Sequence, residues 1–294
     1  MKLCIKTGAE NFMANMIDGK HVASVIREKI KKETAELIVS SGKTPNLTVI
    51  IVGNNPASKS YVRSKKKFAT EVGFESDTIE LPENTTEPQL LDLVEKLNID
   101  DKIHGILVQL PLPAHINEQT VIKKIAVEKD IDGFHPEQVG GLSIGLDTLE
   151  PCTPAGIIKL LKYYDIKVSG KNAVIIGRSN IVGKPIANML LKLDATVTIT
   201  HSHTVNLDDI TRTADIIVVA IGKPHFLTED MVKEGAIVID VGINRTEEGK
   251  LVGDVDYEMV EKKASYITPV PGGVGPMTIA MLLTNTLTAF KNSL

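Results

Sequence analysis

Along this chain, short continuous runs rich in Val and Ile alternate with longer stretches in which apolar residues return every three or four positions. The first pattern belongs to strands buried on both faces, the second to amphipathic helices packed against them. Their alternation predicts an α/β protein with parallel sheets. Val22, Val25, Ile26, Ile30, Leu37 and Ile38 predict a helix over 18–40. The run 47–52 stops at Gly53, and Asn54-Asn55-Pro56 then supplies a cap and a first-turn proline for the next helix. Strands are expected at 76–80 and 103–109, with a helix over 87–98 between them. Residues 110–150 carry mostly loop signals and one short helix near 117–125. Thr153-Pro154 reads as another cap and opens a second α/β unit, with strands at 172–176, 195–200, 215–220 and 236–241. A Pro and Gly cluster at 269–276 precedes a last helix over 276–294.

Length divides this pattern into two. At roughly 150 residues per domain, 294 residues suggest two domains, at 1–150 and 151–273, with the helix of 274–294 returning to the first. Apolar residues at 43% and charged residues at 24% suffice for a core without staples. A net charge of −4 offers no electrostatic footprint for nucleic acid or an anionic membrane. Aromatics are only 4% and Trp is absent, so a base-stacking platform is excluded and the core is aliphatic. Cys4 and Cys152 stand far apart, which argues against a disulfide framework and a Cys-based zinc site and for a reducing cytoplasm. No apolar run approaches the roughly 20 residues that span a bilayer. The first fifteen residues hold only the short patch Leu3-Cys4-Ile5, and read as a dispensable extension rather than a signal peptide.

The second unit carries a phosphate-binding pattern. Its first strand runs into Gly177-Arg178-Ser179-Asn180-Ile181-Val182-Gly183, a glycine loop leading from strand to helix. Such a loop lets backbone amides approach a pyrophosphate at a helix N-terminus. Ser179 stands where the second glycine of the usual fingerprint would be, so a tight turn without ligand is the competing reading. The next strand ends in His201-Ser202-His203-Thr204, with no acid to receive a ribose 2′-hydroxyl. That absence, with Arg178 and Ser202 in reach, favours a 2′-phosphate and hence NADP. A metal held by His201 and His203 would lack a third ligand.

In the first unit Tyr61 and Lys65 share one helical face at i, i+4. Lys59, Arg63, Lys66 and Lys67 make the same helix basic, and a solvated cationic face is the bland reading. Gln109 ends a strand before Leu110-Pro111-Leu112-Pro113, and Asp130-Ile131-Asp132-Gly133 places carboxylates in another loop. Ligands of open α/β sheets sit beyond the carboxyl ends of the strands. One cleft there could collect Tyr61, Lys65, Gln109, Gly177 to Ser179, Ser202 and the turn Gly242-Ile243-Asn244. A lysine held among neutral polar groups would have a lowered pKa and could move protons near neutrality.

Taken together, these motifs resemble the bifunctional methylenetetrahydrofolate dehydrogenase/methenyltetrahydrofolate cyclohydrolase family. The matching stretches are 52–73 (VGNNPASKSYVRSKKKFATEVG), 105–113 (GILVQLPLP), 129–136 (KDIDGFHP), 151–156 (PCTPAG), 177–185 (GRSNIVGKP), 240–244 (DVGIN) and 268–281 (TPVPGGVGPMTIAM). The resemblance covers the chain from Met16 onward. It implies two α/β domains, the second a Rossmann-like NADP-binding domain, with the active site in the cleft between them. It implies Lys65 as the proton-transfer residue of the cyclohydrolase, tuned by Gln109, with Tyr61 stacking on the folate and Asp132 hydrogen-bonding its pterin. Pro271, Gly272 and Gly273 would line the folate site. Gly177, Arg178, Ser179, Ser202 and Ile243 would bind NADP, with Arg178 and Ser202 on the 2′-phosphate. Tetrahydrofolate derivatives are the implied substrates, a homodimer the implied assembly, and no metal is called for. The family often carries Lys or Arg after the Ser of its His-Ser pair, whereas His203 stands here, and a neutral imidazole attracts a 2′-phosphate less. Two rival readings share these features: a monofunctional dehydrogenase of the same fold, and a non-catalytic dinucleotide-sensing module. Tyr61, Lys65 and Gln109 together argue against both.

Overall fold

The computed structural model describes residues 13–294; Cys4 and most of the N-terminal extension lie outside the described residues. The chain runs through β1 (Asn15–Met16), α1 (Gly19–Ser41), β2 (Asn46–Val52), α2 (Pro56–Glu71), β3 (Glu75–Leu81), α3 (Glu87–Asn98), β4 (Gly105–Val108), α4 (Glu118–Lys124) and α5 (Pro136–Ile144). It continues through α6 (Cys152–Tyr163), β5 (Asn172–Ile176), α7 (Gly183–Lys192), β6 (Thr196–Thr200), α8 (Leu207–Thr211), β7 (Ile216–Val219) and β8 (Ile237–Asp240). Last come β9 (Asn244–Arg245), β10 (Leu251–Val252), α9 (Tyr257–Val260), β11 (Tyr266–Ile267) and α10 (Val274–Asn292).

Local chemistry sets the helix ends. The Asp18 side chain accepts from the His21 amide at 2.9 Å to open α1, and Gly42 closes it with φ 68°. Asn55 Oδ1 accepts from the Ser58 amide at 3.1 Å at the start of α2, as the Asn-Asn-Pro sequence leads one to expect. Thr86 and Gln89 form a reciprocal capping box on α3. Thr153 is no cap: α6 begins one residue earlier, behind Pro151, and no side chain caps it. The Thr153 hydroxyl instead meets that of Thr278 at 2.9 Å. Within the stretch read as loop lies α5, whose Gly140-Gly141 pair hides its helical pattern.

A three-stranded parallel sheet has the order β3-β2-β4, and a six-stranded parallel sheet has the order β1-β11-β8-β7-β5-β6. Every residue of β2, β4, β7 and β8 is buried, as strands covered on both faces must be, whereas the edge strands β3 and β6 are half exposed. The last helix, α10, packs against α1 and α6 and buries Phe290 completely, edge-on to the His104 ring.

The stretch read as a dispensable extension, residues 1–15, ends in a strand. The amides of Ala14, Asn15 and Ile17 donate to the Glu261, Ser265 and Ile267 carbonyls at 2.8–2.9 Å, and Asn15–Met16 forms an edge strand of the larger sheet. No helix among the described residues is long and apolar enough to cross a membrane.

Candidate functional site

In the smaller sheet, β2 and β4 deliver α2 and Gln109 to the same end. Lys65 reaches from α2 with its Nζ donating to Gln109 Oε1 at 3.0 Å, and Gln109 Nε2 donates to the Leu110 carbonyl at 2.7 Å. That second bond orients the amide so that its oxygen, not its nitrogen, faces the lysine. The Tyr61 ring, one turn away, has its centroid 5.0 Å from the same Nζ. Lys65 is only 5% exposed. Burial lowers its ammonium below the usual lysine range, and the Asp132 charge opposes that shift. Burial likewise raises the Asp132 carboxyl, with Lys65 pulling it back down. The Tyr61 phenol is pushed up to about 12 by burial, despite its hydrogen bond to Thr278, so it stays protonated at any working pH.

Two residues outside the sequence expectations hold this corner together. Asn285, on α10, donates to the carbonyls of Ile131 at 2.8 Å and Glu150 at 2.9 Å, clamping the loop that carries Asp132 against the start of α6. The Cys152 thiol donates to the Ile131 carbonyl at 3.3 Å and is kept neutral by burial. No local sequence pattern identifies Asn285, because it lies 154 residues from Ile131 along the chain.

In the larger sheet the chain leaves β5 for β6 on one side and β7 on the other, a topological switch point that leaves a crevice at the strand ends. Gly177 turns there with φ 120°, and a Cβ on it would lie 2.4 Å from the Ala220 carbonyl oxygen, so only glycine fits. A cavity of about 460 Å³ opens beside it, lined by Gly177, Arg178, His201, Ser202, Ile221 and Lys223 among others. The Ser179 Oγ accepts from the Val182 and Gly183 amides at 3.1 and 3.2 Å, at the start of α7. His203 does not line this cavity; its amide donates to His201 Nδ1 at 3.2 Å. Lys223, four residues past β7, was not among the expected residues although it too follows a strand end.

Ile243, 56% exposed, lines a separate cavity of about 120 Å³ with Asp240, Gly242 and the turn Pro271-Gly272-Gly273. That turn is tied to the first helix by the Lys20 amide, which donates to the Gly272 carbonyl at 2.9 Å. The expected residues therefore form three groups: Tyr61, Lys65, Gln109 and Asp132; Gly177, Arg178 and Ser202; Ile243 with the Pro271–Gly273 turn.

Residues 17–132 match the family model for the tetrahydrofolate dehydrogenase/cyclohydrolase catalytic domain, and residues 151–294 match that for its NAD(P)-binding domain. The "Bifunctional protein FolD" of Campylobacter hominis is 59% identical over 279 residues, covering 95% of this chain and 98% of the relative. The crystal structure of the FolD methylenetetrahydrofolate dehydrogenase/cyclohydrolase from Campylobacter jejuni superposes with a TM-score of 0.94 at 55% identity, over 96% of this chain and 100% of that one. The Trypanosoma brucei methylenetetrahydrofolate dehydrogenase-cyclohydrolase, complexed with NADP cofactor and inhibitor, has a TM-score of 0.92 at 43% identity, over 96% of this chain and 98% of that one.

Proposed function

Since the chain belongs to the tetrahydrofolate dehydrogenase/cyclohydrolase family, we propose that its strand-end cleft carries out two successive reactions. It oxidises 5,10-methylenetetrahydrofolate with NADP to the 5,10-methenyl cation, then hydrolyses that cation to 10-formyltetrahydrofolate. The observation that carries this reading is the buried Lys65–Gln109 pair at 3.0 Å. A dehydrogenase alone, or a sensor of dinucleotide, has no use for a buried lysine with a weakened hold on its proton.

The cavity beside Gly177 fits the cofactor. Its glycine lets the backbone approach closely, the switch point opens it, and Arg178 and Ser202 supply donors suited to a 2′-phosphate where no acid stands. NADP, when bound, accepts the hydride from the methylene carbon. The protein's part in that step is alignment, because the lone pairs of the two flanking nitrogens already stabilise the cation. Tyr61 offers its ring face to the folate, Asp132 a carboxylate to the pterin, and the Pro271–Gly273 turn a wall without bulky side chains. Residues 1–150 with the last helix would form the folate unit, and 151–273 the NADP unit.

For hydrolysis, neutral Lys65 takes a proton from water as its oxygen bonds to the methenyl carbon. The bond from that carbon to N5 then breaks as N5 takes up the proton held by the lysine and the new hydroxyl gives up its own to the freed amine; the formyl group stays on N10, and that last proton passes to solvent. Gln109 holds the lysine nitrogen in place by accepting one of its hydrogens, leaving the lone pair free for the next. The test is to supply each substrate separately. Methylenetetrahydrofolate and NADP should yield NADPH, and methenyltetrahydrofolate should disappear faster than without enzyme. Failure of the second reaction alone would leave a monofunctional dehydrogenase. We also infer a cytoplasmic homodimer, for which sedimentation should give twice the 31.9 kDa of one chain.

A further inference from the structure

Asp254 is completely buried, yet no cation is paired with it among the described residues. Its charge is met by hydrogen-bond donors instead. Oδ2 accepts from the amides of Ile221 at 2.8 Å and Gly222 at 2.9 Å; Oδ1 accepts from the Lys223 amide at 2.8 Å and from Asn244 Nδ2 at 2.9 Å. Four donors fill the acceptor capacity of one carboxylate. They come from two loops that share no strand: the segment after β7, which lines the cavity beside Gly177, and the start of the β9–β10 hairpin. The fit is close. A Cβ on Gly242 would lie 2.2 Å from Asp254 Oδ1, so any side chain there would drive the carboxylate out. Beneath it, Asp240 fixes Asp254 in turn, accepting from the Asp254 and Gly242 amides through Oδ1 and from the Val255 amide through Oδ2, each at 2.9 Å.

We propose that Asp254 is a positioning residue for the cofactor: its carboxylate holds the Ile221–Lys223 wall of the NADP cavity in register with the Gly177 loop, and so presents Lys223 to the bound dinucleotide. The proposal rests on reading that cavity as the NADP site. Three successive amides bound by one carboxylate leave the segment a single conformation. Without the carboxylate, the same amides would seek water, and the wall would open away from Gly177. Lys223 carries a cation on the cavity wall, its Nζ 5.9 Å from the centroid of the Phe226 ring, and no carboxylate among the described residues pairs with it. It is therefore available to an anionic ligand.

The variant that isolates this role is Asp254→Asn in the full-length enzyme. All four partners are donors, so neither orientation of the new amide satisfies them, although the shape is kept. The dissociation constant for NADP, measured by calorimetry, should rise about tenfold or more. Hydrogen exchange should accelerate at the amides of Ile221, Gly222 and Lys223, while hydrolysis of supplied methenyltetrahydrofolate stays within about twofold. An unchanged dissociation constant with unchanged exchange would overturn the proposal, and so would a loss of hydrolysis equal to the loss of NADP binding. If Asp254→Asn does not fold, Asn244→Leu removes one of the four bonds and should raise the dissociation constant by about threefold; no rise would overturn the proposal equally. The parent enzyme separates the two levels of argument. If it fails to bind NADP, the cofactor reading itself falls; if it binds normally and both variants bind alike, only the role of Asp254 does.

Discussion

In the proposed mechanism Lys65 concentrates the chemistry of the first site in one atom, and the same atom burdens the fold. Removing it by Lys65→Met should slow hydrolysis of methenyltetrahydrofolate by a factor of about a hundred or more, read as loss of the methenyl absorbance. The same change should raise the unfolding free energy at pH 7 by about 1 kcal/mol, because a buried cation is replaced by an apolar chain. The sign of the pH dependence follows from the lowered pKa. Between the folded and unfolded values the unfolded lysine binds more protons, so native stability rises with pH toward the ordinary lysine range. Urea melts of both proteins should therefore converge as pH climbs from 7 toward 10. A gap that widened would place the lysine in an environment that favours its charge. At the second site, Arg178→Ala should weaken NADP by about tenfold to a hundredfold and leave NAD nearly unchanged; equal losses would remove the 2′-phosphate from its role. At this scale the sequence singles out a candidate side chain wherever it sits one helical turn from another or directly after a strand. Tyr61, Lys65, Gln109, Gly177 and Arg178 all do. Asp254 and Asn285 do not, because their partners lie 33 and 154 residues away and nothing local marks them.

The elements differ in how plainly their residues announce them. Fully buried strands such as β2 and β7 are continuous β-branched runs, and their bounds follow within a residue or so. The two-residue strands β1, β9, β10 and β11 are too short to have a period, and they exist only because a neighbour offers them a ladder. Among the helices, α10 is legible as a helix but not as a clamp. Its Asn285 satisfies two buried carbonyls at once, beside the loop of Asp132. Replacing it by Leu should cost about 2 kcal/mol or more, since both carbonyls lose their donor. Oxidation and hydrolysis should both slow, because Asp132 is proposed to hold the pterin in each reaction. If melts showed the loss of stability and both rates stayed intact, the clamp would be structural only.

For the molecule as a whole, length suggested two units and the alternation of patterns made them α/β, with the last helix returning to the first. The strand ahead of that first unit was not legible. The larger sheet takes its edge strand from residues 15–16, ahead of α1, and α10 packs on α1 and α6. Deleting residues 1–16 strips that edge strand and its hydrogen bonds. The melting temperature should fall by a few degrees, with both activities retained at 25 °C, because no group proposed for catalysis or binding lies there. Loss of either activity well below the melting point would assign the strand a part in the cleft.

The pairing of Asn15 with Ser265, 250 positions downstream, has a consequence for how the protein is made. A ribosome delivers the chain from its N-terminus, at about 5–20 residues per second. For ten seconds or more on that scale, the strand that emerges first has no partner, and α1 has no α10 to cover it. Contacts of such long range form late. The folate-side residues Tyr61, Lys65 and Gln109 are thus all synthesised early but idle, and catalytic competence should arrive nearly all at once as residues 266–290 leave the exit tunnel.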